Sequence, residues 1–373
     1  MNKGKIKIMH IIPTFNLIEN KGVLEFLYLL IKYLDKEHVE IIILAFYSKA
    51  GEAAEYEKIG ARISICSEHH SDNSYLSLIQ WTSNEIEREH PDIVHTHLFW
   101  PDTIGRESAL RMRVPLVVST EHNTNYDETE KQRQLKRRLS TQTDAIICIT
   151  DAVRQYSIEK DQIAPEKLYT IHNGFNAEKY GKPLEPITEL SNELYFIGRF
   201  VPQKQPLELI RICSELFEDL PFLSLNCVGD GPLLESCKNL TLSLKIQDRV
   251  RFHGFQINPF ENIKNGSLFV LNSAFEGQGI AIMEAMAQGM PCILPKCGGI
   301  PEVIEDGVTG FMFEGSNPDQ LKQKLIQVLE MDMGGINRIR KNAWKVVNTK
   351  FHPAKMAENY VKLYERKLAE KVF

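Results

Sequence analysis

The stretch Ser273–Pro295, SAFEGQGIAIMEAMAQGMPCILP, decides the fold class. The apolar run Leu268-Phe269-Val270-Leu271 stands just before it and has the length of a buried strand. A loop with two glycines follows, then helix formers from Ile280 to Gln288 that stop at Gly289. Pro291 and a second apolar run, Cys292-Ile293-Leu294, complete the pattern. Strand, glycine loop, helix, strand is one βαβ unit, with its loop at the carboxyl end of a strand. Glu276 in the loop and Glu284 on the helix lie at or near the helix N-terminus, where backbone N–H groups and the positive end of the dipole also gather. Such a place can hold phosphate oxygens on its amides and hydroxyl groups on its carboxylates. Glu284 sits among Ala281, Ile282, Met283, Ala285, Met286 and Ala287. A helix apolar all round is buried, and a buried Glu needs a partner, which favours a functional role over a solvent-facing one.

The same pattern extends outward in both directions. Apolar strand candidates at Ile6–Ile12, Ile41–Phe46, Ile63–Cys66, Ile93–His95, Val114–Thr120, Ala145–Thr150 and Leu168–Ile171 fill the first half. Helical runs at Val23–Leu34, Leu76–Arg88 and Glu128–Ser140 stand between some of them. The pattern lapses over 181–193, where Pro183 and Pro186 occur, and then restarts with Leu194–Ile197, Leu223–Val228, Val250–His253, Leu268–Leu271, Cys292–Leu294 and Phe311–Phe313. Strands alternating with helices predict an α/β fold of two doubly wound, mainly parallel halves. The expected division is 1–180, a linker at 181–193, a second domain at 194–355, and a C-terminal helix at 356–373 packing back on the first. Two such halves face across a cleft to which each contributes loops from strand carboxyl ends.

Composition narrows the partners. The 373 residues exceed one typical domain, and a net charge of −5 gives no case for nucleic acid. Seven cysteines with no C-x-x-C pair argue for a reducing compartment rather than a disulfide framework. The basic start leads only into the short run Ile6–Ile12, ended by Pro13, and no segment approaches the ~20 apolar residues of a membrane span. A cytoplasmic protein is expected, with peripheral contact at the inner membrane face open to it.

Further constellations carry chemistry. Gly198-Arg199-Phe200-Val201-Pro202-Gln203-Lys204 follows the first strand of the second half, so a tight turn projects two cations at the mouth of the sheet. Arg forks onto phosphate oxygens and Lys supplies a compact charge. Val228–Pro232 reads best as a plain turn. His253-Gly254-Phe255 reads equally as a strand end or as a place where a flat base approaches the backbone. Histidines cluster near strand ends: His95, His97 and His122. No carboxylate or Cys completes a zinc set with them, so no metal is expected. His122 directly follows a strand, which places it at the cleft.

In order and spacing these motifs resemble the retaining GT-B glycosyltransferases of family 4 type. The G-R-x4-K loop is Gly198, Arg199 and Lys204, and the E-x7-E motif is Glu276 and Glu284. Gly298-Gly299-Ile300-Pro301-Glu302 and Asp306–Phe311 stand behind it as in the family. The resemblance covers nearly the whole chain and is strongest over Tyr195–Phe313. It implies a nucleotide-diphosphate sugar, UDP-linked for preference, bound mainly by the second domain, and a glycan or lipid-linked acceptor bound mainly by the first. It assigns Arg199 and Lys204 to the diphosphate, and Glu276 to the transferred sugar. It assigns Glu284 to the ribose, Gly254 and Phe255 to the base, and His122 to the donor sugar. Gly198, Gln278, Gly279, Ile280 and Gly22 complete the expected donor contacts, and His97 is the expected acceptor contact. Gln278, between two glycines, is the residue expected to bear on specificity.

The resemblance further implies retention of anomeric configuration by a front-face route, within cell-surface polysaccharide synthesis. No D-x-D triplet occurs, so no catalytic divalent metal and no cofactor are expected. One departure stands at Glu19–Glu25, where only Gly22 remains of the family's usual glycine pair. The run Lys131, Arg133, Lys136, Arg137 and Arg138 reads as a solvated helix face, or more sharply as attraction to anionic lipid. A nucleotide-sugar epimerase or a phosphorylase would share the fold. A nicotinamide oxidoreductase would need a G-x-G-x-x-G turn after the first strand, and Ile11–Leu24 has none. A non-catalytic sugar-nucleotide binder would leave Arg199, Lys204 and Glu276 with no reason to coincide.

Overall fold

A computed structural model of the chain describes residues 5–48, 53–66, 74–124, 128–176, 179, 184–315 and 318–371. They form two compact units, Met1–Gly174 with His352–Phe373, and Phe175–Phe351.

In the first unit, β1 (Ile6–Ile12), β2 (Val39–Ala45), β3 (Ala61–Ile65), β4 (Ile93–His97), β5 (Leu116–Glu121), β6 (Ala145–Cys148) and β7 (Leu168–Thr170) make one sheet. Its order is β3-β2-β1-β4-β5-β6-β7 and every pairing is parallel. Alternate residues divide between two buried faces: Ile8, Ile12, Ile41, Ile43 and Ile93 on one, Met9, Ile11, Ile42, Leu44 and Val94 on the other. Burial on both faces is why these strands read as unbroken apolar runs. The helix Pro353–Ala369 buries Met356, Tyr360, Leu363 and Tyr364, a stripe at helical spacing, against the first of those faces.

In the second unit, β8 (Glu193–Ile197), β9 (Ser224–Val228), β10 (Val250–Gly254), β11 (Leu268–Val270), β12 (Cys292–Pro295) and β13 (Phe311–Phe313) form a parallel sheet ordered β10-β9-β8-β11-β12-β13. In both sheets the order reverses beside the first strand, at β1/β4 and at β8/β11. Loops leaving the carboxyl ends of such a pair part to opposite faces and open a crevice.

Several expectations need correction. The division falls after Gly174, because a Cβ there would lie 2.6 Å from Pro353 Cα: the chain leaves and re-enters the first unit at one point. The described part of the expected linker, 184–192, is built into the second unit. Ile187 is buried in its core; its N–H donates to Asn337 Oδ1 (3.0 Å) and its carbonyl accepts from Asn337 Nδ2 (2.9 Å), while Arg340 donates to Glu185 O and Gly289 O (3.1 and 2.7 Å). Proline and polarity mark irregular backbone there, and side chains supply its partners. Residues 181–183 lie outside the described residues. The first helix spans Leu17–Tyr33 with a kink at Asn20 (φ −133°), so Gly22 lies inside a helix and not in a loop. Helices at Phe99–Arg111 and Asp151–Glu159 were not anticipated. All seven cysteines are free. Among the described residues no helix is long and apolar enough to cross a membrane.

Candidate active site

The crevice at β8/β11 collects most of the predicted residues. After Ile197 the chain turns across the end of the sheet, with Gly198 N–H donating to Val228 O (3.0 Å) and Phe200 N–H to Asp230 O (2.8 Å). Gly229 has φ +137°, and a Cβ on it would stand 1.9 Å from Gly198 O. Val228–Pro232 is therefore the wall that shapes the Gly198 loop, a role that its reading as a plain turn missed. Gly229 N–H in turn donates to Gly254 O (2.8 Å). Gly254 has φ +68° with open space around it, and Phe255 is 37% exposed. Phe200 is buried beneath the loop, while Arg199 is exposed and its guanidinium makes no hydrogen bond or ion pair among the described residues.

Lys204 ends a short 3-10 turn, Pro202–Lys204, and Gln205 in the left-handed region (φ +46°) leads into the helix Pro206–Asp219. Gln203 ties this turn to the loop after β11. Its carbonyl accepts from Ala274 N–H (2.8 Å), and its amide donates to Phe275 O (3.0 Å). The clamp brings Lys204 Nζ to 2.5 Å from Glu276 Oε1. Glu276 is 4% exposed, and its backbone rests on the Gly298-Gly299 turn. Gly299 N–H donates to Glu276 O (3.0 Å), and a Cβ on Gly298 would come 2.0 Å from that same oxygen. Only glycine permits this approach.

Gly279 (φ +74°) is the N-cap of the helix Ile280–Ala287, and no side chain caps it among the described residues. The first N–H groups of that helix are thus available to an anion. Gln278 and Glu284 are both buried, at 2% exposure each, and Gln278 Nε2 lies 3.7 Å from Met283 Sδ. The apolar helix does bury its Glu.

His97 and His122 belong to the first unit, where β1 and β4 add His10, which sequence reading missed. In the sheet register His10 pairs with His95. His10 Nδ1 lies 3.0 Å from His97 Nε2, and His97 Nδ1 lies 3.1 Å from His122 Nε2. His97 is fully buried with both nitrogens engaged, which corrects its assignment as an acceptor contact. Among the described residues, His10, His95 and His97 bring one ring nitrogen each within 4.8 Å of one another, as a metal set would. Yet His95 meets Tyr364 Oη (2.6 Å) through Nδ1 and Thr120 Oγ1 (2.7 Å) through Nε2, so its two nitrogens already have partners. The cluster is a hydrogen-bonded core.

Burial pushes His10 from 6.5 down to about 3, with Lys36 adding to it, and pushes His122 down to about 3. His95 and His97 are likewise held well below 6.5, burial being the first cause. A histidine lowered in the folded state binds fewer protons than in the unfolded chain between its two pKa values. Its neutral form therefore costs stability as pH falls from about 6.5 towards 3. For His10 alone the loss is about 2 kcal/mol at about pH 5. His10→Gln should show that much less acid destabilisation than wild type when urea midpoints at about pH 7 and 5 are compared. Identical pH dependence would remove His10 as a source. Glu128, raised to about 7 by burial, acts in the opposite direction, so the comparison between variants is the informative one.

The helix Glu130–Ser140 is also corrected. Its five cations do not form a solvent face. Lys136 is 2% exposed and meets Glu121 (3.1 Å), Glu128 (3.2 Å) and Asp161 (3.0 Å). Arg133 pairs with Asp161 Oδ1 (3.1 Å) and Arg137 donates to Asp161 O (3.0 Å), leaving Lys131 and Arg138 exposed. Three of the five charges are spent inside the unit, which removes the basis for lipid attraction by this helix.

Comparison with known proteins bears on the family and the fold. The family described as Glycosyltransferase Family 4 matches residues 20–179, and Glycosyl transferases group 1 matches residues 183–346. The UDP-Gal:alpha-D-GlcNAc-diphosphoundecaprenol alpha-1,3-galactosyltransferase of Escherichia coli is 28% identical over 75% of this chain and 76% of its own. The N-acetyl-alpha-D-glucosaminyl L-malate synthase of Bacillus anthracis is 28% identical over 78% of each chain. Among solved structures, Anabaena Alr3699/HepE in complex with UDP superposes with a TM-score of 0.79 at 18% identity, covering 96% of this chain and 100% of that one. Two parallel α/β units with these matches make the chain a nucleotide-sugar glycosyltransferase of GT-B fold, and it belongs to the family 4 type.

Proposed function

We propose that the protein is a retaining hexosyltransferase that moves a sugar from a UDP-sugar to a hydroxyl of a lipid-linked glycan, in cell-surface polysaccharide synthesis and without a divalent metal. The observation that carries this is the convergence of exposed Arg199, the Lys204–Glu276 pair and an uncapped helix N-terminus on one crevice. Cations beside amides suit a diphosphate, and a buried carboxylate beside them suits sugar hydroxyls. The named acceptor of the E. coli relative, a diphosphoundecaprenol-linked sugar, and the UDP held by the Anabaena protein support the choice of substrates.

In this reading the bond from the anomeric carbon to the β-phosphate oxygen breaks as charge grows on that oxygen. Arg199, Lys204 and the helix N–H groups stabilise the charge in place. Glu276 holds the sugar hydroxyls, Glu284 the ribose, and the open backbone at Gly254 with Phe255 receives the base. Gly198, Gln278, Gly279 and Ile280 line the same crevice. The acceptor oxygen bonds to the anomeric carbon on the face the phosphate leaves, and its proton passes to the departing phosphate. His122 meets a substrate hydroxyl. Two cations at the phosphate supply the charge that a metal supplies elsewhere, so chelator should leave turnover unchanged. A thermal-shift screen of UDP, GDP, ADP and their sugars, followed by transfer to a diphosphopolyprenol-linked sugar, tests the reading. UDP release that requires acceptor supports it, and conversion of the donor without acceptor favours the epimerase or phosphorylase reading instead.

A further inference from the structure

His122 is half-buried, and its Nε2 is already occupied by His97. The consequence lies in proton counting along His10, His97 and His122, whose contacts are 3.0 and 3.1 Å. A neutral imidazole has one N–H and one lone pair, so each contact needs one donor and one acceptor. Three neutral rings in a row can satisfy both contacts in only two ways. In one, His10 donates to His97, His97 donates to His122, and the remaining proton of His122 sits on Nδ1. In the other the direction reverses, and His10 is left with its proton on Nε2.

His10 Nε2 is buried and has no hydrogen-bond partner among the described residues. A buried N–H with no acceptor is a rarer and costlier defect than an unused lone pair, so the first direction wins. Phe26 packs its ring 5.6 Å from His97 and 5.0 Å from His122, which holds both rings in this arrangement. Burial keeps the rings neutral at ordinary pH, so the alternation is not broken by an extra proton.

We infer that His97, backed by His10, is a positioning residue that fixes His122 in its Nδ1–H tautomer, so that His122 offers the substrate a proton donor and not a lone pair. This rests on the reading above that His122 meets a substrate hydroxyl. It deepens that reading by removing His122 as the base that deprotonates the acceptor, and so leaves that task to the departing phosphate. His122 polarises an oxygen, and no bond to it forms or breaks.

The test is side-chain ¹⁵N correlation NMR of the full-length protein labelled at histidine, at neutral pH. His122 is expected to show a protonated, pyrrole-type Nδ1 and a pyridine-type Nε2. The reverse pattern, or averaged shifts, overturns the inference whatever the enzyme's activity. Two variants separate positioning from packing. In His97→Asn the amide takes the place of Nδ1 and still donates to His122, so tautomer and kcat stay near wild type. In His97→Gln the amide falls on the His10 side. His122 then loses its fixed tautomer, and kcat drops roughly tenfold to a hundredfold with little change in donor KM. Equal kcat in the two variants overturns the inference. Full turnover in His122→Ala with the Nδ1–H form established would leave the tautomer standing and overturn its functional half.

Discussion

Glu276→Gln is expected to cut turnover by about 10²-fold or more while leaving UDP affinity unchanged or higher. The reason lies in the pair it forms: Lys204 Nζ is held 2.5 Å from Glu276 Oε1. A diphosphate entering the crevice must draw Lys204 away from that carboxylate, at the cost of the ion pair. Removing the charge and keeping the shape frees Lys204 for the phosphate, yet takes away the acceptor that positions the sugar hydroxyls. Lys204→Met has the opposite effect on binding. It leaves Glu276, 4% exposed, as an unpaired carboxylate beside the phosphate site, and UDP should weaken by roughly tenfold or more. Initial rates of UDP release and calorimetric titration on both variants make the comparison. If the two substitutions weaken UDP equally, the pair acts as one unit and the division of labour is wrong.

Lys136→Met should destabilise the first unit by about 3–5 kcal/mol without touching the donor crevice. Lys136 reaches Glu121, Glu128 and Asp161 all within 3.2 Å, and Arg133 shares only Asp161 with it (3.1 Å). Burial works against its ammonium, but Glu121, Asp161 and Glu128 together raise its pKa. Methionine fills the same volume and leaves three carboxylates without a lysine. Glu121 is already raised by burial, and Glu128 is raised to about 7, so both can take up protons and relieve part of the loss. Protonation is easier in acid, so the destabilisation should be larger at about pH 8 than at about pH 5. Urea unfolding of variant and wild type at the two pH values reads this out. A loss below about 1 kcal/mol at the higher pH would show the quartet to be no stronger than a surface pair.

These two sites differ in how far the sequence discloses them. Arg199, Lys204 and Glu276 sit in loops directly after β8 and β11, two strands beside the sheet's reversal point, so the order of elements alone brings them together. Glu284 is legible because its neighbours are apolar on every side of the helix. Lys136 is not, since its partners come from three separate segments and a run of cations looks like a surface when read alone. His10 is hidden for the same reason: His95 and His97 lie more than eighty residues away, and only the β1/β4 pairing makes them neighbours.

The helix Phe99–Arg111 contains Pro101 and Gly105, residue types that disfavour a helix interior, so its sequence does not announce it. Pro101 stands in the first turn, where proline is tolerated, and a Cβ on Gly105 would lie 2.5 Å from Thr96 Cγ2, so glycine is there to let helix and sheet touch. The unit boundary was misplaced because Pro183 and Pro186 interrupt the sequence pattern, whereas the true crossing at Gly174 and His352 carries no local signal.

The central claim is that the β8/β11 crevice of the second unit holds the nucleoside diphosphate. Calorimetric titration of UDP into wild type, Arg199→Ala and Glu284→Ala tests it most directly. The Arg199 side chain is exposed and has no partner among the described residues, so its loss should leave the fold intact. UDP should bind the wild type, and each substitution should weaken it by roughly tenfold or more. Equal affinity in all three proteins, or no binding of UDP to the wild type, would contradict the account.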